Sequence, residues 1–186
     1  MKDNSFLRTK VPMTKEEIRA ISIDKLQLKG KNNFLDIGSG TGSISVQSAL
    51  SFPNINITSI DNSKKAIEIT QRNILKFEVN NINLIYGTAP QNVPKRLYDA
   101  IFIGGSGSNL SEIIHFSIQH LTAKGRLVMN FILLENAIKA FHILNKKHLK
   151  DIEMIEARIS KIKSLGPGHF LKPNNPTLII SGKKEA

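Results

Sequence analysis

One short stretch combines residue types and spacing that could bind a ligand. Residues 36–42 read Asp-Ile-Gly-Ser-Gly-Thr-Gly, so glycines stand at alternate positions behind an acidic residue. The stretch lies between an apolar run typical of a buried strand and a helical pattern, an arrangement that brings backbone close to a nucleotide-like ligand. Its G-x-G-x-G spacing differs from the dinucleotide fingerprint G-x-G-x-x-G, and no Gly-Lys-Ser/Thr follows. A phosphate-binding loop is therefore not expected here.

A second acidic residue, Asp61, supports a nucleoside ligand. It follows the alternating run at 55–60, which predicts a strand, and lies 19 residues after Gly42. In βαβ nucleotide sites a carboxylate about 20 residues beyond the glycine turn accepts hydrogen bonds from the ribose hydroxyls. The alternative is that Asp61 caps the following helix, although Ser63 is equally well placed. Together with the glycine turn, Asp61 predicts a nucleoside site.

The acidic residue, the three alternating glycines and Thr41 resemble motif I of the class I methyltransferases that use S-adenosylmethionine (SAM). SAM carries a sulfonium, an amino-acid tail and an adenosine, but no phosphate. Gly38 and Gly40 have no Cβ, so the chain can adopt positive φ there and pass beneath the methionine portion. Asp36 could orient the loop or meet the ammonium of the tail. The alternative is a glycine-rich turn that only packs a helix against a strand.

The composition is that of an ordinary globular chain. Its 186 residues, 40% of them hydrophobic, fit one domain with a core, and we expect a single domain over residues 1–186. No apolar run reaches about 18 residues, so no membrane-spanning helix is expected. The first ten residues lack the apolar segment of a secretory signal. The absence of cysteine excludes disulfides and thiolate metal sites, and we expect a cytoplasmic protein.

The formal net charge of +11 favours a polyanionic partner, which could be nucleic acid or a small molecule with several carboxylates. The lysines are scattered in short pairs such as Lys64-Lys65, with no arginine-rich block or aromatic-interleaved basic stripe. A compositional bias toward lysine would also account for the charge. We therefore expect no dedicated nucleic-acid surface and no membrane partner.

Turn residues and hydrophobic periodicity divide the chain into alternating helices and strands. Thr14 and Glu17 are spaced as a capping box, which predicts that a helix begins there and continues to about Leu28. Further helices are predicted at 43–50, 63–79, 110–121 and 133–148. Strands are predicted at 33–35, 55–60, 82–86, 100–103, 126–131, 152–162 and 177–181, with a loop over 165–176.

The order of these elements predicts an α/β fold of Rossmann-like type. Five strands that alternate with helices form a parallel sheet with right-handed crossovers and helices on both faces. The last two strands have no helix between them, which predicts an antiparallel edge on a seven-stranded, mostly parallel sheet. Ligands bind such sheets at the carboxyl ends of the strands. The residues predicted to converge there are Asp36, Asp61, Thr88, Gly104 and Asn130.

Several segments, in order along the chain, resemble the decarboxylating cobalt-precorrin methyltransferases of anaerobic cobalamin synthesis (the CbiT family). Pro-Met-Thr at 12–14, Gly-Gly-Ser-Gly at 104–107 and Leu-Leu-Glu at 133–135 carry this resemblance. Other matching segments are 87–90 and 175–176. The glycine turn is shared by many methyltransferases and is not specific. The resemblance spans nearly the whole chain and implies the class I SAM-methyltransferase fold, with residues 1–30 capping the site.

The resemblance implies a twofold reaction. A methyl group would pass from SAM to carbon-15 of cobalt-precorrin-6B, and the acetate on carbon-12 would leave as carbon dioxide, giving cobalt-precorrin-7. It also implies a homotetramer and a polycarboxylate tetrapyrrole substrate, with which the positive charge is compatible. The residues implied to hold SAM are Thr14, Gly38, Ser39, Gly40, Thr41, Gly42, Asp61, Thr88 and Ala89. Thr88 departs from the family, in which an acidic residue usually stands beside this glycine.

Methyl transfer from a sulfonium to an electron-rich carbon needs alignment more than acid–base catalysis. Small residues after the fourth strand would leave room for a flat macrocycle, although a plain strand-to-helix turn is the alternative. The residues expected to bind substrate are therefore Gly104, Gly105, Ser106 and Gly107. Glu135 could face the pocket, but it also suits the first turn of an exposed helix. His169 could contact a substrate carboxylate or supply a proton, or have no functional role. No metal site is expected.

Two other functions are compatible with the sequence. A SAM-dependent tRNA or rRNA methyltransferase would also favour positive charge, but it usually carries an added RNA-binding element, for which 186 residues leave little room. A SAM-binding regulatory protein without catalysis is the second alternative. The Asp/Asn-Pro-Pro-aromatic motif that would indicate methylation of exocyclic amines is absent after the predicted fourth strand.

Overall fold

The computed structural model describes residues 1–147 and 149–185. After a 3₁₀ turn at Asp3–Ser5, the helices are α1 (Glu16–Leu26), α2 (Ser43–Ser51), α3 (Lys64–Lys76), α4 (Leu110–His120) and α5 (Leu134–Lys146). The strands are β1 (Asn33–Ile37), β2 (Asn56–Asp61), β3 (Ile82–Tyr86), β4 (Tyr98–Ile103), β5 (Leu121–Phe131), β6 (Lys150–Ala157), β7 (Ser160–Leu165), β8 (Gly168–Pro173) and β9 (Thr177–Lys183). Within these two ranges, no helix has both the length and the apolar character needed to cross a membrane.

Seven strands form one sheet in the order β3-β2-β1-β4-β5-β9-β6. The five strands from β3 to β5 pair in parallel, and β9 is antiparallel to both of its neighbours. The predicted seven-stranded, mostly parallel sheet is confirmed. The antiparallel strand lies one place inside the edge, which β6 occupies.

The central strands are buried on both faces, as β1 illustrates. Leu35 and Ile37 belong to a core that includes residues of α4 and α5, whereas Phe34 belongs to a core built with α1 and α2. Helices therefore cover both faces, as predicted, and burial on both faces explains the unbroken apolar run in the sequence. Because side chains alternate along a strand, Asp36 shares the face of Phe34 and points toward the α2 side.

The predicted capping box at the start of α1 is wrong. The helix begins at Glu16, and Lys15 occupies the N-cap position without a side-chain capping bond. Glu17 would have reached back to the backbone in a capping box. Instead, its Oε1 forms an ion pair with Lys161 Nζ at 2.7 Å. The Glu17 carboxylate is therefore engaged by a lysine distant in sequence and not by the backbone at the start of the helix.

The closing region differs from the predicted strand and loop. The strand predicted at 152–162 is divided into β6 and β7, and the predicted loop contains β8. β7 and β8 form a separate two-stranded sheet, in which Leu165 pairs with Gly168 across a two-residue turn. Gly166 in that turn has a φ of +56°, as tight hairpin turns require. The Gly166-Pro167 pair instead forms the turn of this hairpin, and Pro173 ends its second strand. His148, the last residue of the helix predicted at 133–148, lies outside the described residues.

The first 15 residues, here called the N-terminal strap, are anchored by the buried side chain of Arg19. Its guanidinium donates to the carbonyl oxygens of Met1 at 2.7 Å and Thr14 at 2.6 Å. It also donates to the carboxylate of Asp3 at 3.3 Å and lies 4.8 Å from the ring centroid of Phe6. One side chain of α1 therefore holds both ends of the strap.

A buried amide on α3 holds the middle of the strap. The backbone N–H of Leu7 donates to Asn73 Oδ1 at 2.8 Å, and Asn73 Nδ2 donates to the carbonyl of Leu7 at 3.1 Å. The same Nδ2 also donates to the carbonyl of Thr41 at 2.9 Å. Asn73 thus joins the strap to the glycine turn.

We expect Arg19→Met to lower the free energy of unfolding by about 3 kcal/mol, because it leaves buried acceptors without their donor. Chemical denaturation followed by circular dichroism measures the change. Lys29→Met, at an exposed position just beyond the same helix, is the matched control. Equal stabilities of the two variants would contradict the anchoring role of Arg19.

Candidate functional site

A cavity of about 1090 Å³ opens at the carboxyl ends of the parallel strands. It is walled by residues 11–15 of the strap, by the glycine turn, by the segments that follow β2 to β5, and by the base of the β7–β8 hairpin. Small-molecule sites usually measure roughly 300–1,000 Å³, so this cavity lies at the upper end of that range.

The glycine turn approaches two other backbone segments so closely that side chains are excluded. A Cβ at Gly38, whose φ is +76°, would lie 2.6 Å from the backbone nitrogen of Gly105. A Cβ at Gly40, whose φ is +57°, would lie 2.7 Å from the carbonyl oxygen of Pro12. Gly38, Ser39 and Gly40 all line the cavity. The turn therefore packs against both the loop after β4 and the strap, and its backbone lines the cavity.

The other two residues of the turn serve packing. Thr41 is buried, and neither Thr41 nor Gly42 lines the cavity. A Cβ at Gly42 would lie 2.7 Å from the Cγ2 of Thr70, so this glycine allows α2 to pack against α3. The structure thus separates the predicted SAM-binding turn into a ligand-facing half and a packing half.

Asp61 stands at the end of β2, on the cavity wall beside the turn. Its Oδ2 accepts from the backbone N–H of Gly40 at 2.9 Å, and its Oδ1 accepts from that of Ser63 at 2.9 Å. Ser63 caps α3, since its Oγ accepts from the N–H of Ala66. The capping function therefore belongs to Ser63, and Asp61 keeps a carboxylate that orients the glycine turn and faces the cavity.

Asp36 has a different environment. It is buried beneath α2, where it accepts a hydrogen bond from Ser45 Oγ at 2.5 Å, and it does not line the cavity. Burial raises the pKa of Asp36 to about 7, and the hydrogen bond from Ser45 only partly offsets this. Of the two roles considered for Asp36, the structure supports orientation of the turn and its helix, not contact with a ligand ammonium.

The loop after β3 contributes Thr88 and Ala89 to the cavity wall. The backbone N–H of Thr88 donates to Asn92 Oδ1 at 2.9 Å. The side chain of Asn92 packs so closely over Gly87 that a Cβ there would lie 2.6 Å away. Asn92 therefore sets the path of this loop beside the glycine turn.

All four residues of the predicted substrate loop, Gly104, Gly105, Ser106 and Gly107, line the cavity. A Cβ at Gly104 would lie 2.9 Å from the Phe102 ring. The loop is mostly exposed and leads into α4. It separates the glycine turn from the remaining open part of the cavity.

The two weak catalytic candidates lie elsewhere. Glu135 is an exposed residue in the first turn of α5, and the adjacent Asn136 lines the cavity instead. His169 lies on β8, opposite Ser164 in the exposed hairpin, and does not line the cavity. Neither side chain is placed with the other predicted site residues.

Two of the regions that line the cavity without having been assigned from the sequence are of particular interest. One is Lys15, which directly follows Thr14 in the Pro-Met-Thr-Lys stretch. The other is the hairpin base, where Ile159, Asn174 and Asn175 contribute to the wall. The carbonyl of Ile159 accepts from the N–H of Asn174, which closes this base. Lys15 could have been found from the sequence, because it directly follows the predicted site residue Thr14. The hairpin base could not, because it reaches the cavity only through contacts between distant parts of the chain.

A set of asparagines follows the same wall: Asn62, Asn109, Asn130, Asn136, Asn174 and Asn175. Asn130 at the end of β5 is held by Ser22 of α1. Its Nδ2 donates to Ser22 Oγ at 2.9 Å, while that hydroxyl lies 2.8 Å from the carbonyl oxygen of Ile18. Neutral amides therefore supply much of the polar surface away from the glycine turn.

The residues that line the cavity fall into two groups, which are here called two compartments. The nucleoside compartment is formed by the glycine turn, Asp61 and the Thr88–Ala89 loop, and the open compartment by the Gly104–Gly107 loop, the segment after β5 and the hairpin base. The nucleoside compartment fits SAM. Side-chain-free backbone faces the ligand, and the buried Ser39 hydroxyl has no hydrogen-bond partner among the described residues. Asp61 places a carboxylate on the wall of this compartment.

This sheet order, with a side-chain-free glycine turn and an acidic residue at the end of the next strand, defines a class I SAM-dependent methyltransferase. Residues 5–184 match the family described as the precorrin methyltransferase domain, and the chain belongs to that family.

Individual relatives match the chain over nearly its full length. The chain is 40% identical to a cobalt-precorrin-6B C(15)-methyltransferase (decarboxylating) of Salmonella typhimurium, covering 100% of this chain and 96% of that protein. It is 42% identical to a probable enzyme of the same name from Saccharolobus solfataricus, over 98% and 94%. The crystal structure of precorrin-6y C5,15-methyltransferase from Geobacter metallireducens, 29% identical, superposes with a TM-score of 0.91 over 99% of this chain and 96% of that one. The resemblance to cobalt-precorrin methyltransferases is confirmed.

The buried carboxyl of Asp36 predicts a dependence of stability on pH. Its pKa is about 7 in the folded protein and 3.8 ordinarily, so between these values the folded state retains a proton that the unfolded state loses. The contribution of Asp36 to the free energy of unfolding therefore falls as pH rises through this window, by roughly 4 kcal/mol in all.

We expect Asp36→Asn to remove this dependence, so that the variant gains stability relative to the natural protein between about pH 5 and about pH 8. Denaturant unfolding of both proteins at the two pH values measures the gain. Asp24→Asn, at an exposed position on α1, serves as the control. A stability difference that stays constant across the window would contradict the assignment to Asp36.

The placement of Asp61 predicts an effect on cofactor affinity. We expect Asp61→Ala to weaken S-adenosylhomocysteine binding about 10- to 100-fold, because it removes a charged acceptor from the nucleoside compartment. Isothermal calorimetry measures the affinity, and Glu68→Ala on the exposed face of α3 is the control. Unchanged affinity in a folded Asp61→Ala protein would refute the ribose assignment.

Proposed function

We propose that this chain is the SAM-dependent methyltransferase that acts on carbon-15 of cobalt-precorrin-6B and removes the carbon-12 acetate, giving cobalt-precorrin-7 in anaerobic cobalamin synthesis. The observation that carries the proposal is that the cavity of about 1090 Å³ extends beyond the nucleoside compartment into the open compartment. Relatives of about 40% identity over the full chain bear this activity in their names. The proposal treats residues 1–186 as one domain whose first 30 residues cap the site.

The walls of the open compartment suit a flat macrocycle. Ile132 and Leu133, which follow β5, line the cavity and yet are 68% and 60% exposed. With Leu134, which is 53% exposed, they form a run of three exposed apolar residues, and contiguous apolar surface of this kind can mark a ligand-binding or partner-binding site. The Gly104–Gly107 loop, which follows the neighbouring strand β4, also lines the cavity and has almost no side-chain volume. A planar ring could therefore lie against both an apolar wall and bare backbone.

We assign this chain's residues to binding and alignment. Bound SAM supplies an electrophilic methyl group on its sulfonium. Gly38, Ser39 and Gly40 would hold the amino-acid portion against the turn, while Asp61 would accept from the ribose and Thr88 and Ala89 would border the adenine. The contact between Gly38 and Gly105 places the substrate loop directly beside the turn, and such fixed alignment is the main requirement for this transfer.

The decarboxylation is supported by the neutral character of the open compartment. Loss of carbon dioxide passes the electron pair of the broken carbon–carbon bond into the conjugated macrocycle, and a proton from solvent then adds to the exocyclic carbon. When the methyl group adds to the ring carbon, the macrocycle releases a proton to solvent, so that charge balances. Walls made of amides and apolar side chains solvate a carboxylate less well than water does, which favours its loss as carbon dioxide. Glu135 and His169, both outside the cavity, have no part in this proposal.

We also propose a homotetramer located in the cytoplasm. The β7–β8 hairpin carries the exposed cross-strand pair Ile162 and Leu171, which are 68% and 65% exposed. Lys161, one residue before Ile162, pairs with α1, so the apolar pair faces the opposite way. Self-association would cover this surface, and the number four follows the family resemblance. Light scattering of the purified protein measures the mass, and a monomer would contradict the proposal.

The function is tested by supplying labelled SAM with either cobalt-precorrin-6B or bulk RNA. We expect methylated, decarboxylated corrinoid and no labelled RNA, with product mass and released carbon dioxide as the readouts. RNA labelling without corrinoid turnover would replace the proposal with the RNA methyltransferase alternative. Binding of SAM without turnover of any tetrapyrrole would favour a regulatory protein.

A further inference from the structure

The cavity of this cationic protein contains few charges. Among the lining residues within 1–147 and 149–185, the charged side chains are Lys15 and Asp61. Both carboxylate oxygens of Asp61 already accept backbone N–H groups in the nucleoside compartment. The net charge of +11 is therefore concentrated outside the cavity, and Lys15 is the cation that a ligand inside would meet.

The ammonium of Lys15 is only weakly engaged. Its Nζ lies 3.8 Å from the Oδ2 of Asp3, which is beyond hydrogen-bond distance, and it makes no hydrogen bond to any described residue. Asp3 is shared with Arg19, whose guanidinium lies at 3.3 Å. One carboxylate thus faces two cations, which leaves positive charge at the cavity wall.

Lys161, which lies near the start of α1, is in contrast fully engaged. Lys161 lies 2.8 Å from a carboxylate oxygen of Glu16 and 2.7 Å from one of Glu17. This pairing raises the pKa of Lys161 and lowers that of Glu16 to about 2. The next residue before these two glutamates is Lys15, so the acidic side chains nearest to it in sequence are neutralised by another residue.

Lys15 stands where the two compartments meet. Three residues before it, the carbonyl of Pro12 touches the glycine turn at Gly40. Directly after it, Glu16 is bridged to Lys161, two residues beyond Ile159 in the hairpin base. Lys15 also occupies the N-cap of α1, where the helix dipole adds to the attraction for an anion.

We propose that Lys15 binds a carboxylate of the ligand held in the cavity, an inference that rests on the proposed function. Two sources supply this chemistry. One is the carboxylate of the amino-acid tail of SAM, and the other is a carboxylate of the tetrapyrrole substrate. A lysine ammonium has three donors and no strict geometry, so it suits a carboxylate approaching from either compartment.

The test compares Lys15→Met with Lys15→Arg, which keeps the charge, and with Lys10→Met, an exposed lysine on the same strap. Calorimetry with S-adenosylhomocysteine and with methylthioadenosine, which lacks the carboxylate, isolates the cofactor tail. Steady-state kinetics with cobalt-precorrin-6B isolates the substrate. Thermal melting confirms that each variant is folded.

We expect Lys15→Met to weaken the binding of one of the two carboxylate ligands, S-adenosylhomocysteine or cobalt-precorrin-6B, about 10- to 100-fold. Loss of S-adenosylhomocysteine affinity with unchanged methylthioadenosine affinity would assign Lys15 to the cofactor tail. A raised KM with unchanged kcat and unchanged S-adenosylhomocysteine affinity would assign it to the substrate. In either case Lys15→Arg should recover part of the loss and Lys10→Met should show none.

Unchanged binding of both ligands would overturn the proposal for Lys15 while leaving the function intact. If the natural protein fails to turn over cobalt-precorrin-6B, the proposed function is wrong. The role of Lys15 is then tested by calorimetry with S-adenosylhomocysteine and methylthioadenosine and by fluorescence titration with uroporphyrin, a polycarboxylate tetrapyrrole. Equal affinities of the natural protein and Lys15→Met in all of these titrations would likewise overturn the proposal.

Discussion

The site depends on close backbone contacts at the glycine turn. Gly38 meets the backbone of Gly105, and Gly40 meets the carbonyl of Pro12, at separations that leave no room for a Cβ. These contacts bring the loop after β4 and the N-terminal strap to opposite sides of one turn. The nucleoside compartment and the open compartment share this boundary, so its position determines how two ligands would lie relative to each other.

An ionic network joins the strap, the start of α1 and the hairpin around that boundary. Arg19 and Lys15 share Asp3 at the start of the strap, and Lys161 bridges Glu16 and Glu17 at the start of α1. Strap, helix and hairpin are therefore joined by charge pairs, although they come from opposite ends of the chain. The interior of the cavity is left almost neutral, with amides and apolar side chains in the open compartment.

The distribution of charge changes how the basic composition is interpreted. A net charge of +11 suggested a polyanionic partner, and a polycarboxylate substrate is compatible with it. Most of that charge lies outside the cavity, however, and one lysine provides the positive charge within it. Recognition inside the site therefore rests on shape, amide groups and few ionic contacts, and the overall charge acts at longer range.

Local patterns were sufficient to predict the class of fold, the parallel strands, the glycine turn and Asp61, because each depends on residues close together in sequence. The family resemblance, not the glycine turn, indicated the substrate. Tertiary structure decided which residues of the turn face the cavity, because Thr41 and Gly42 are covered by α3, far along the chain. It also decided that Asp36 is buried, that Glu17 pairs with Lys161 instead of forming the expected capping box, and that a hairpin base completes the wall. These outcomes depend on contacts between distant segments, whose approach becomes defined only when the sheet, the strap and the hairpin pack together.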